Sequence, residues 1–151
     1  MNAERKILEK WIGRMADSDP EQAAVLRVSE PDPFRNPVAF AVRKGLSQLL
    51  EQLSGEMNCD VIDSALDTIV RIRALQDLSP TQAVGFVAEL RSLVPELPTT
   101  LDRVVLESRI DRLVLAAFNK YAQCREQIVA VRLHEAERLT RMRLRLAKGC
   151  P

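Results

Sequence analysis

Apolar residues recur every three or four positions along almost the whole chain, and that period predicts helices and no sheet. Ile7, Leu8, Trp11, Ile12 and Met15 mark one face of a first helix over residues 3–16. Asp19-Pro20-Glu21-Gln22 predicts a second helix start, with Asp19 as cap and Pro20 at the first helical position, leading into a short helix through Val25, Leu26 and Val28. Pro31 and Pro33 force a loop before Asn36-Pro37 opens a third helix. Val38, Val42, Leu46, Leu49, Leu50 and Leu53 form its buried stripe. Gly45 sits inside that helix at a cost of about 1 kcal/mol relative to Ala, which is either simply tolerated or the sign of a close helix approach. A fourth helix is predicted from about Asp60 to Asp77, on the line Ile62, Leu66, Ile69, Ile72 and Gln76. A fifth is predicted from Pro80 to Val94, ended by Pro95 and Pro98.

From Thr99 to about Ala147 there is neither Pro nor Gly, and Leu106, Ile110, Leu113, Val114, Ala117, Tyr121, Cys124, Ile128 and Val131 keep the helical period. One helix of that length is roughly 70 Å long, more than a domain of this size is wide, so it must break or project. The projecting part is expected in the last twenty residues, where the stripe thins to Leu139, Met142 and Leu146 among arginines. The expected fold is therefore all-α. It is a single bundle-like domain of five to six helices over residues 1–135, with a basic helical extension over residues 136–151.

The junction between the fourth and fifth helices is the most sharply specified segment. Ser79, Pro80 and Gln82 make a capping box with proline at the first helical position. Just upstream, Arg71, Arg73 and Asp77 place charge around an apolar helix line. Arg73 continues that line four residues after Ile69, and a buried guanidinium needs a partner. Asp77 and Asp111 are the first candidates. A structural Arg–Asp bridge satisfies the pattern, and so does a polar pocket for an anion or small ligand. Trp11, Phe40, Phe86, Phe118 and Tyr121 fall at helical positions and are expected in the core, with the Tyr121 phenol seeking a polar partner.

Composition narrows the chemistry. The chain has 151 residues, 46% apolar and 28% charged, as one soluble domain would. No apolar run is long enough to cross a bilayer, and the charged N-terminus is unlike a signal peptide, so a cytoplasmic protein is expected. Cys59, Cys124 and Cys150 are too scattered for a zinc site or disulfide framework. His134 is alone in a basic stretch and is expected on the surface, which leaves no heme ligand and no histidine-based catalysis. No cofactor and no metal are expected. No nucleophile, paired carboxylates or phosphate loop suggests an enzyme. The net charge of +1 hides an asymmetry. Residues 132–151 carry six basic and two acidic side chains, against 16 basic and 19 acidic in the rest. An Arg-rich tail of this kind offers a second reading, as a nucleic-acid or membrane-surface binder, and a scaffold subunit of a metabolic complex is a third.

Arg35-Asn36-Pro37-Val38, the run from Val70 to Val87, Arg109-Ile110-Asp111-Arg112-Leu113 and Tyr121-Ala122-Gln123-Cys124-Arg125-Glu126 together resemble one family. It is the N-terminal sensor domain of RsbT co-antagonist proteins of the bacterial stressosome, and the resemblance covers about residues 5–135. It implies an all-helical regulatory domain, related to non-heme globin sensors, that pairs through a long C-terminal helix. In full-length regulators that helix feeds a STAS output domain. This sequence ends at Pro151, so a stand-alone member without that domain is the expectation. The family positions carried over are Arg71, Arg73, Gln76, Asp77 and Gln82. A sensor or protein-interaction module is expected, forming a homodimer through its last helix.

Overall fold

The computed structural model describes residues 2–28, 30–76 and 78–149. Among these residues six α-helices and one 3-10 helix follow in order: α1 (Ala3–Ser18), α2 (Ala23–Leu26), α3 (Pro37–Ser54), α4 (Cys59–Leu75), α5 (Pro80–Ala88), a 3-10 helix (Glu89–Glu96) and α6 (Arg103–Gly149). No strand occurs among the described residues. The expected all-α single domain with a long C-terminal helix is what the chain forms.

The helices start where local chemistry satisfies their free N–H groups. Asn58 Oδ1 accepts from the backbone of Asp60 and Val61 at the head of α4. Pro37 opens α3 at a position that needs no donor. At α5 the capping box is complete. The Gln82 N–H donates to Ser79 Oγ (3.3 Å), and the Ser79 N–H donates to Gln82 Oε1 (3.0 Å). Ser79→Ala should therefore cost about 1 kcal/mol, measured by urea denaturation.

Two expected elements come out differently. Asp19 does not cap α2. It ends α1, and its backbone carbonyl accepts from Gln22 N–H while its side chain turns inward. The helical turn that follows is only four residues and stops before Val28. The predicted fifth helix changes winding at Glu89. Pro95 has no N–H, and its ring would clash with the Arg91 carbonyl in an α-helix. The tighter 3-10 coil keeps Leu90, Leu93 and Val94 buried up to that proline.

α3 packs on α4, α4 and α5 pack on α6, and α1 lies across α2, α3, α5 and the 3-10 helix. Trp11, Leu46, Leu49, Leu53, Leu66, Ile69, Leu90, Leu93 and Ile110 are the fully buried centre. Gly45 is a contact point. A Cβ there would stand 2.8 Å from Ile69 Cδ1, so its absence lets α3 meet α4 closely. Arg43 fastens the outer edge, with a bidentate bond to Glu9 on α1 and a bond from Nε to the Val28 carbonyl. That guanidinium holds the Glu9 carboxyl below its usual range.

α6 is one unbroken helix of 47 residues. Its inward face, Leu106, Ile110, Leu113, Ala117, Tyr121 and Cys124, belongs to the core. Ile128 is the last residue packed against it, and every side chain from Val129 to Gly149 is exposed. The helix resolves its excess length by projecting. No helix among the described residues is long and apolar enough to cross a membrane.

Candidate functional site

Arg73 is the largest buried charge, 2% exposed, and its surroundings define the interior of the α4–α5 corner. Its Nε donates to the Ala83 carbonyl (3.0 Å) and Nη2 to the Gln82 carbonyl (2.7 Å). Nη1 stands 3.9 Å from Asp19 Oδ2. The guanidinium also lies over the Phe86 ring, 5.7 Å from its centroid, on the electron-rich face that attracts cations. Burial pulls the Arg73 pKa down from its ordinary value, and the Asp19 charge pushes it back up. An arginine stays charged under such a balance.

The carboxylate partner among the described residues is therefore Asp19, and the expected Asp111 is not one. Asp111 is exposed and paired with Arg91 of the 3-10 helix. Asp77 lies outside the described residues. Nothing in the local sequence pattern flagged Asp19 as a partner, because Asp-Pro before a helix is the usual signature of a cap. The available signal was its place at the C-terminal end of α1, one position beyond the last turn of an apolar face.

Gln76 closes the same interior from the end of α4. Its Oε1 and Asp19 Oδ2 are both buried without a hydrogen-bond partner beside a cavity of about 10 Å³. That is the scale of a single water molecule. Gln82 contributes its carbonyl to Arg73 and its side chain to the cap. Tyr121 reaches the corner from α6, where its phenol donates to the Leu78 carbonyl (3.0 Å). Arg73, Gln76, Gln82 and Tyr121 are thus brought together around one corner.

Arg71 faces elsewhere. It is half-exposed, bonded to Asp67 Oδ1 (3.1 Å) and to Gln127 Oε1 on α6 (3.3 Å). The Asp67 carboxylate raises its pKa further. Beside it opens an apolar groove of about 430 Å³ between α4 and α6, lined by Leu75, Cys124, Gln127, Ile128 and Val131 and edged by Arg132. This groove sits where α6 leaves the body.

The aromatic residues divide. Trp11, Phe86 and Tyr121 are buried, and Trp11 Nε1 donates to the Phe86 carbonyl while the rings stack at 6.2 Å. Phe40 and Phe118 are not core residues. They are 39% and 52% exposed, because their helical phase turns them to the outer faces of α3 and α6. Cys124 is buried, as its period predicts, and His134 is exposed on the arm. Among the described residues no three His, Cys, Asp or Glu side chains are grouped to hold a metal ion.

The chain is thus an all-α domain whose buried arginine ties α4 to α5 and whose last helix leads outward. Residues 5–136 match the family profile of the RsbT co-antagonist protein rsbRD N-terminal domain, and the chain belongs to that family. It is a family of regulatory, stressosome-type signalling domains. No curated protein and no solved structure matches this chain.

Proposed function

We propose that the chain is a non-catalytic sensor or protein-interaction module of cytoplasmic bacterial signalling, in which packing at the α4–α5 corner is relayed along α6. The observation that carries this reading is the Tyr121–Leu78 bond. It ties the loop between α4 and α5 directly to the helix that leaves the body. Arg71 adds a second tie, to Gln127. In this reading residues 1–135 form the sensing body and residues 136–151 the basic extension.

The same reading includes a homodimer with α6 at the interface. Up to Ile128 the inner face of α6 is consumed by the core, so along the body the pairing surface is the opposite one. There Leu115, Phe118, Val129 and Leu133 recur at helical spacing, each about half or more exposed. Asp111, Arg112 and Glu126 flank this line with charges of both signs, which does not oppose self-association. Phe118 and Val129 stand three turns apart on this line, so it offers two exposed apolar patches; such patches mark an interface, and an isologous pair is the commonest way to cover them. Sedimentation equilibrium at micromolar concentration should give a dimer for the full chain and a monomer for Phe118→Glu. A monomeric full chain would remove the dimer from this reading.

The basic arm favours one further reading, binding of nucleic acid or an anionic membrane. Salt separates the two. A phosphate-driven contact weakens steeply with ionic strength, whereas association through an apolar helix face does not.

A further inference from the structure

We propose that the face of α6 that leaves the core at Ile128 is a docking surface for an acidic amphipathic helix of a different protein. The face begins in the groove beside Leu75, where Ile128 and Val131 line one wall. It continues outward through Leu139, Met142 and Leu146, with Glu135 the one charge on the line itself, outnumbered by the arginines that border it. This is the same helical line that Ile110, Leu113, Ala117, Tyr121 and Cys124 bury in the body. Beyond residue 128 no described residue covers it, and Leu139, Met142 and Leu146 are 53%, 48% and 74% exposed.

Charge chooses the occupant. On a helical projection Arg132 and Arg143 border the line on one side, and Arg138 and Arg145 border it on the other. None of these four has an ion pair among the described residues, unlike Arg141, which is matched by Glu137. The seam has the spacing of a coiled-coil stripe with arginines at its flanking positions. A second copy of the chain fits it badly. Parallel pairing sets Arg138 of one copy opposite Arg143 of the other, and antiparallel pairing sets Arg138 opposite Arg145. Like charges facing across such a seam oppose association. A lipid surface fits less well than a helix. Val129, Leu133 and Leu144 lie on the opposite side of the arm, so it lacks the single apolar face of an interfacial helix, and no Trp or Tyr edges it. A helix with leucines on one face and carboxylates on both flanks satisfies apolar groove, stripe and arginines together.

The probe is a helical peptide of about three heptads with Leu at the a and d positions and Glu at e and g, with a Lys-for-Glu twin as control. Binding to the full chain is followed by fluorescence anisotropy, alongside vesicles containing an anionic phospholipid and a duplex DNA. The Glu peptide is expected to bind at least about tenfold more tightly than its twin. The pair Arg138→Glu with Arg145→Glu should reverse that preference, and Met142→Asp should abolish binding of both peptides. These residues are solvent-exposed, so circular dichroism should show each variant folded. Phe118→Glu, which breaks the dimer proposed above, should leave peptide binding unchanged, so the two ideas fail separately. Equal binding of the two peptides, no binding of either, or binding only to vesicles or DNA would overturn the proposal.

Discussion

Arg73→Ala is expected to destabilise the domain by about 3–5 kcal/mol, the range for removing one partner of a buried ion pair. Three costs combine. Asp19, 6% exposed, is left as a buried carboxylate without its countercharge. The Gln82 and Ala83 carbonyls lose the donors that tie the first turn of α5 to α4. The Phe86 ring loses the cation above it. Asp19→Ala should cost less, because Arg73 keeps both carbonyls and the ring. Replacing the pair by apolar side chains of similar size should also cost less than Arg73→Ala alone, since no charge is then stranded. Urea denaturation of the three variants decides it. A change below about 0.5 kcal/mol for Arg73→Ala would mean that the guanidinium is solvated and the ion pair of no consequence.

Trp11→Ala should match it, at about 3–5 kcal/mol, for a different reason. Trp11 is fully buried, so truncation leaves a cavity at the centre of the core where α1 meets α5. It also removes the bond that Nε1 donates to the Phe86 carbonyl at 2.6 Å. Trp11→Phe keeps most of the volume and loses the bond, and should cost about 1–2 kcal/mol. Because Trp11 and Arg73 both contact Phe86, the double variant should depart from additivity. Additive denaturation free energies would show that the ring does not couple them.

Helix boundaries were legible wherever a local rule decides them. Ser79-Pro80-Thr81-Gln82 forms its box, Asn36-Pro37 starts α3, and the Pro- and Gly-free stretch after Thr99 forms α6. The burial of Arg73 was legible too, because it is a question of phase along a single helix. Its partner was not. Asp19 comes from the end of α1, and only the packing of α1 across α5 brings it to the guanidinium. Phe40 and Phe118 show a related limit. Aromatic residues at helical positions were assigned inward, but phase against a neighbouring helix, not residue type, decides which face is covered. The 3-10 winding of residues 89–96 escaped because apolar residues three apart suit both helix types.

The continuity of α6 has a mechanical consequence. Between Tyr121, fixed to the α4–α5 loop, and Gly149 the helix contains no proline and no interior glycine, so nothing along its axis acts as a joint. That stretch measures about 42 Å at 1.5 Å per residue. A tilt of about 5° at Tyr121 therefore carries the far end sideways through about 4 Å. A small displacement in the packed corner is thus enlarged, at the tip of the rod, into a sideways shift of several ångströms in whatever holds it.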